Sequence, residues 1–387
     1  MKNIQLLNKI AKIGTDRLDP AVYNIGAEVD APEGIMVRSA KMHDMTFNKE
    51  LLAIARAGAG VNNIPVDRCA EEGIVVFNTP GANANGVKEL AICAMLLASR
   101  KVVEGINWSK SLAGTADVAK QVEAGKSQFG GCEIKGKTLG VIGLGAIGGM
   151  VANAAIALGM NVIGCDPFLS VAGAWQLDSR VCCAATFDEV FAKADYITLH
   201  VPATADTKGM ICEKSIATMK NGVKIINLAR AELVSSVDMA AALESGKVGA
   251  YVTDFPTEET VAMAGAITIP HLGASTEESE DNCAVMAADE LHEYLSLGNI
   301  RNSVNYPAVS AAPAGAARIC VLHTADAAVL GALSEACAKA GLAVLAATTK
   351  TRGQNGYTMV DVDSANESVV TEIAAVAGVR RARMIAF

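Results

Sequence analysis

Aromatic residues are scarce, at 4% of 387 positions, and the ten cysteines form neither a CxxC pair nor a Cys/His cluster at zinc-ligand spacing. That pattern excludes a zinc module and a disulfide framework, and it reads as reduced, mostly buried thiols of a cytoplasmic protein with no metal. No stretch interleaves Lys or Arg with aromatics, and a formal charge of -8 would repel a phosphate backbone, so nucleic acid is not an expected partner. Lysines at positions 2, 9 and 12 interrupt the apolar run of the N-terminus, which is too short for a secretory signal. Charge is also absent between Lys137 and Asp166, a length that could cross a bilayer. Seven glycines and two asparagines, Asn153 and Asn161, argue against a span; the segment divides into a strand, a glycine turn, an alanine-rich helix and a second strand. No membrane partner is expected.

Half of the chain is hydrophobic, with abundant Ala, Gly and Val, as suits buried parallel strands covered by small-residue helices. The length predicts two to three α/β domains. Gly143, Gly145 and Gly148 spell GxGxxG between the strand "LGVI" and a helix beginning near Ala146. The first glycine permits a tight turn, the second lets backbone approach a pyrophosphate, and the third lets helix and strand pack closely. The second strand ends on Asp166, where a carboxylate accepts from an adenosine ribose and repels a 2'-phosphate. No arginine follows before Arg180, so NAD is expected rather than NADP.

Strand patterns recur at "ADYITLHVP", "VKIINLAR" and "VGAYVTDF", separated by helical stretches. This alternation predicts a doubly wound parallel sheet, whose ligands bind beyond the carboxyl ends of its strands. Removing a hydride from a secondary alcohol also requires a base for the hydroxyl proton, and histidine is the usual choice. Of the five histidines, His271 alone follows an acid-rich loop, "DFPTEE", and a strand, "AITIP". Glu258 could orient its ring, and Arg230 at a strand end could hold a substrate carboxylate through paired hydrogen bonds. Spacing does not establish that the three meet: a structural histidine and a solvated loop acid fit the pattern equally well.

Taken in order, "VRSAK", "ARAGAGVNNIPV", "NTPGANANGVKELAICAMLLASR", "GKTLGVIGLGAIGG", "INLARAEL", "DFPTEE" and "PHLGAST" resemble successive motifs of the D-isomer-specific 2-hydroxyacid dehydrogenases, most closely the branch acting on 3-phosphoglycerate. The resemblance covers nearly the whole chain. It implies NAD-dependent oxidation of D-3-phosphoglycerate to 3-phosphohydroxypyruvate, the first step of the phosphorylated route to serine, by a homodimer or homotetramer. It further implies that Arg230 binds substrate, Glu258 orients the histidine and His271 shuttles the proton. Gly143, Gly145, Ala146, Ile147, Gly148, Asp166, His200, Val201, Pro202, Thr207, Ala229, Asp254 and Gly273 would face the cofactor. Arg38, Ser39, Arg56, Ala59, Gly60 and Asn83 would bind substrate. The implied architecture is a Rossmann-type NAD-binding domain, 98–275, inserted in a smaller flavodoxin-like substrate domain, 1–97 and 276–306.

Several positions depart from the family pattern. Its "ARG" reads "ARA", Ser235 stands where an aspartate is usual, and Glu259 replaces the proline after the glutamate. The aspartate that faces the nicotinamide aligns with Thr253, with Asp254 one place later, which leaves two candidates. Residues 307–317, "PAVSAAPAGAA", carry no charge and read as a linker. Beyond it, 318–387 follows a βαββαβ order that resembles an ACT domain, a regulatory module; a purely structural oligomerisation tail is the alternative. Ser364 and Glu367 have capping-box spacing. "HTADAAV" lacks the asparagine and Pro-Gly pair usual after the module's histidine, so serine is not an expected effector. Two rival functions share the motifs: a dehydrogenase of another D-2-hydroxy acid such as glycerate or lactate, and a non-enzymatic corepressor of the same fold.

Overall fold

A computed structural model describes all residues from Met1 to Phe387. The chain forms two compact units, one of Met1–Asn83 with Glu277–Phe387, the other of Ala84–Thr276. No helix is long and apolar enough to cross a membrane.

The first unit opens on a parallel sheet of β1 (Lys2–Leu7), β2 (Tyr23–Gly26), β3 (Gly34–Val37), β4 (Ala53–Arg56) and β5 (Val75–Phe77) in the order β2-β1-β3-β4-β5. This is the flavodoxin-type order, with its switch point between β1 and β3. The strands β3 to β5 are buried almost throughout, as parallel strands covered on both faces must be. The apolar start of the chain is thus β1, an inner strand.

The second unit holds seven parallel strands: β6 (Thr138–Ile142), β7 (Asn161–Cys165), β8 (Cys182–Cys183), β9 (Tyr196–Leu199), β10 (Val223–Asn227), β11 (Val248–Thr253) and β12 (Ala266–Thr268). Their order is β12-β11-β10-β9-β6-β7-β8. The uncharged run after Lys137 is β6, the helix Ala146–Ala157 and β7, one buried βαβ step as its glycines required. Because the chain turns outward from β6 in one direction and from β9 in the other, the crevice between these two neighbours is the switch point.

Back in the first unit, β13 (Ala317–Thr324), β14 (Val344–Arg352), β15 (Asn355–Val362) and β16 (Val379–Ala386) form an antiparallel sheet in the order β14-β15-β13-β16. With the helices Val329–Lys339 and Glu367–Ala374 this is the split-βαβ arrangement expected of the tail. One face packs on those two helices, through Ile319, Val321, Leu333 and Val360. The other joins the core of the first sheet, where Cys320, Leu322, Tyr357 and Met359 meet Phe77, Leu291 and Tyr294.

The uncharged segment before β13 is held in place. Val309 pairs with Ile300, and Arg318, 1% exposed, donates to the carbonyls of Leu297, Ala311 and Ala312 and to both oxygens of Asp361, at 2.6 and 2.8 Å. The expected Ser364 capping box does not form. Asn366 caps the last helix instead, accepting from Ser368 N, because the helix starts at Glu367, two residues later than a Ser364 cap would place it. The cysteines are less buried than expected: Cys69, Cys165, Cys283, Cys320 and Cys337 are buried, whereas Cys93, Cys182 and Cys183 are exposed and Cys132 and Cys212 lie between.

Candidate active site

The dinucleotide end is built by the turn after β6. Gly143 has φ of +89°, and a Cβ there would stand 2.6 Å from the His200 carbonyl oxygen, so the β6–β9 crevice closes only over glycine. At Gly148 a Cβ would lie 1.9 Å from the Gly143 carbonyl oxygen, which is the close packing the third glycine serves. Gly145 differs, since nothing lies within 4 Å of its would-be Cβ. It is the N-cap of Ala146–Ala157 with no side-chain cap, so the first amides of that helix, including those of Ala146 and Ile147, are left for an anion. A cavity of about 470 Å³ borders Gly145, Ala146, Asp166 and Gly173.

Asp166, just beyond β7, accepts from Leu144 N and Phe168 N, each at 2.9 Å. These bonds pin the carboxylate beside the glycine turn and leave each oxygen a second lone pair for ribose hydroxyls. Arg180 is committed to Asp178 through two side-chain bonds of 2.7 and 2.9 Å. The open Gly145, the free helix amides and the pinned acid fit a dinucleotide lacking a 2'-phosphate.

The other strand ends hold the reactive groups. Asn227, fully buried at the end of β10, accepts from the amides of Ala229 and Arg230 and donates to the Arg230 carbonyl at 2.8 Å, which fixes the arginine turn. The Arg230 guanidinium lies 5.8 Å from the Phe255 ring centre, and the same ring meets His271 at 4.7 Å. Phe255 is therefore a ring that both residues approach. His271 is exposed and left-handed, with φ of +50°, in a turn closed by its own amide on Ile269 O at 2.9 Å. Such backbone is uncommon for a non-glycine residue and clusters at functional sites.

His200, at the end of β9, contrasts with it. Burial pulls its imidazole down to about 4, and Nε2 bonds Thr198 Oγ1 at 2.9 Å, so it is neutral where His271 is exposed to solvent. His292 is bonded to Tyr23, and His323 has both ring nitrogens engaged. The ring nitrogens of His271 make no hydrogen bond. In the loop after His200 and Val201, Thr207 Oγ1 donates to the Pro202 carbonyl at 2.6 Å and closes a tight turn.

Asp254 is 1% exposed. Its Oδ2 accepts from Gly273 N at 3.1 Å, while Oδ1 has no partner. Burial pushes this carboxyl above the ordinary carboxylate range, opposed by the Gly273 bond and by the nearby His271 and Arg230. Thr253 Oγ1 is already taken by Phe255 N at 3.1 Å. Glu258 opens the helix Glu258–Ala262 behind the Thr257 cap, exposed and without a hydrogen bond to His271.

In the first unit, Arg38 and Arg56 stand at the carboxyl ends of neighbouring strands, and Arg56 Nε donates to Arg38 O at 3.1 Å. Arg38 Nη2 meets Glu280 at 2.5 Å. Asn8 Oδ1 accepts from the amides of Arg38, Ser39 and Ala40, which leaves Ser39 its hydroxyl. Gly58, with φ of +148°, lets the Arg56 guanidinium cross where a Cβ would stand 2.0 Å from Nη1. Asn78 donates to Ala59 O at 2.6 Å, Gly60 is half-buried beside it, and Asn83 is the last residue before the chain enters the second unit.

Two residues that organise this chemistry, Asn227 and Phe255, lie inside motifs already legible, whereas Asn8, just after β1, lies outside them. "NLAR" contains the Asx-turn signal of Asn227. Nothing local marks Phe255, whose partners are contributed by other loops.

Residues 92–273 match the family model described as the NAD-binding domain of D-isomer specific 2-hydroxyacid dehydrogenases. D-3-phosphoglycerate dehydrogenase of Archaeoglobus fulgidus is 36% identical over 295 residues, 73% of this chain and 53% of that protein. The chain spans about half the length of the curated relatives it matches. Among solved structures, the NAD+-bound 3-phosphoglycerate dehydrogenase of Entamoeba histolytica superposes with a TM-score of 0.62 at 26% identity, covering 79% of this chain and 98% of that one. A glyoxylate reductase of Paecilomyes thermophila gives 0.65 at 26% identity, over 78% and 98% of the two chains.

Proposed function

The chain carries the NAD-binding domain of the D-isomer specific 2-hydroxyacid dehydrogenases, and from that premise we propose that it interconverts D-3-phosphoglycerate and 3-phosphohydroxypyruvate. The observation that carries the reading is the pairing of Arg230 and His271 on Phe255 at the strand ends of a sheet whose glycine turn is open for NAD. When bound, NAD supplies the acceptor for the hydride. A ring nitrogen of His271 takes the hydroxyl proton during oxidation and returns it during reduction. Arg230 holds the substrate carboxylate and polarises the neighbouring carbonyl. Glu258, in the first turn of its helix, stabilises the imidazolium that results.

Of the two candidates for the nicotinamide amide, Asp254 is the better supported. Its buried Oδ1 lacks a donor, whereas Thr253 is already paired. Arg38, Ser39, Arg56, Ala59, Gly60 and Asn83 bind the carboxylate and phosphate ends of the substrate. The tail acts as an ACT-like subunit contact in a homodimer or homotetramer, a role supported by the long, exposed edge strand β14.

A second reading has one observation in its favour. Arg38 is already paired with Glu280, and a substrate without a phosphate would not need to release it. Steady-state reduction of 3-phosphohydroxypyruvate, hydroxypyruvate, glyoxylate and pyruvate with NADH separates the two. Selectivity for the phosphorylated acid is expected. A preference for glyoxylate or pyruvate would move the assignment to another 2-hydroxy acid, and no turnover on any of them would remove the enzymatic reading.

A further inference from the structure

Within the first unit, one face of the helix Glu277–Leu297 borders a cavity of about 730 Å³, completed by Arg17, by Gly81 and Ala82, and by Arg301 and Asn302. Glu290 lines it and is 5% exposed. Its Oε1 accepts from Asn302 Nδ2 at 2.7 Å, but Oε2 is buried and has no partner. An acid placed this way is costly to ionise. Burial, with Asp289 adding to it and Asn302 opposing, pushes the carboxyl up to about 8. None of the chemistry proposed above uses this group.

The other charges of the walls cancel in pairs. Arg17 meets Asp289 at 2.5 Å, and Arg301 meets Glu293 at 3.7 Å. His292 also lines the cavity, with Nδ1 bonded to Tyr23. Two arginines against three carboxylates leave one negative charge when Glu290 ionises. The residues do not form a metal-binding group, while Ala82, Val285 and Met286 supply apolar wall. A ligand that completes this site brings one positive charge, a hydrogen-bond donor for Oε2 and a short apolar body.

We propose that this cavity binds a small organic monocation, a primary ammonium on a short aliphatic body, through the unpaired oxygen of Glu290. An ammonium offers three donors and retains its charge on burial when paired with a carboxylate. Binding converts the Glu290 carboxylic acid to carboxylate, and the proton leaves to solvent. The proposal is independent of the dehydrogenase reading, because no residue of the cavity belongs to the NAD or Arg230–His271 sites.

The test is isothermal titration of the full chain with n-propylammonium chloride, in buffers of different ionisation enthalpy. One saturable site per chain is expected. With the carboxyl pushed up to about 8, binding releases protons at pH 7 and markedly fewer at pH 9. Glu290→Gln should weaken binding by at least ~10-fold, and sodium propionate should not bind. Proton release by the unmodified chain keeps the proposal testable even if that variant folds poorly. Absence of saturable binding up to roughly 50 mM propylammonium overturns the site. Binding without proton release at pH 7, or equal binding by folded Glu290→Gln, overturns the role of Glu290.

Discussion

Replacing Gly145 and Gly148 separately with alanine distinguishes a glycine turn kept for packing from one kept for a ligand. Gly145 has φ of -67° and ψ of -161°, extended backbone open to alanine, and nothing lies within 4 Å of the added methyl. Gly145→Ala should therefore stabilise the apoprotein by ~0.4–1 kcal/mol, because alanine restricts the unfolded chain. The same methyl intrudes where a pyrophosphate must approach the uncapped helix amides. Losing one charge-assisted bond there costs ~1.5–3 kcal/mol, or about 10- to 150-fold in NADH affinity.

Gly148→Ala behaves differently. Its methyl would sit 1.9 Å from the Gly143 carbonyl, far inside the 3.4–4 Å of ordinary contact, so helix and turn must part. That strain costs ~1–3 kcal/mol of stability and weakens NADH as well. Thermal melts and NADH fluorescence titrations of the two variants read both quantities. A Gly145→Ala protein of unchanged stability that binds NADH like the wild type would refute the account of this turn.

Three further outcomes are expected. The wild type should prefer NADH to NADPH, and Asp166→Ala should narrow that preference in a comparison of kcat/KM, since it removes the carboxylate that repels a 2'-phosphate; equal use of both cofactors by the wild type would contradict the assignment. Asp361→Ala strips the bidentate partner from buried Arg318 and should cost ~3–5 kcal/mol in urea denaturation, and a loss below about 1 kcal/mol would mean that the remaining carbonyls suffice. His200 titrates at about 4 in the folded chain and near 6.5 when unfolded. The unfolded state therefore binds more protons between these values, and the stability held above about pH 6.5 is lost as pH falls toward 4. Denaturation midpoints across that window should drop less steeply for His200→Gln, and parallel curves would remove His200 as the cause.

How far the fold could be read depended on how local its signals were. The strands β6, β7, β9, β10 and β11 are β-branched runs bounded by glycine or polar turns, and the sequence marks each of them. The three glycines were legible for the same reason, since each answers a constraint within a few residues. The cap of the last helix was not: Ser364 and Asn366 are both good caps, and only the position of the first helical turn chooses between them. The tail was legible as βαββαβ but not as part of the first unit's core. "ARICVLHT" is buried on both faces, but Arg318 and His323 leave only "ICVL" as an apolar run, too short to announce a strand covered on both sides. Arg230, Phe255 and His271 come together from three separate loops, and one-dimensional spacing carries no such information.

The central claim is that His271 carries the proton in an NAD-dependent dehydrogenation. It is tested most directly by stopped-assay turnover of His271→Ala with NADH and 3-phosphohydroxypyruvate, alongside its NADH dissociation constant. Turnover at least ~100-fold below wild type, with NADH affinity unchanged, is the expected result. A folded His271→Ala protein that turns over like the wild type would contradict the account.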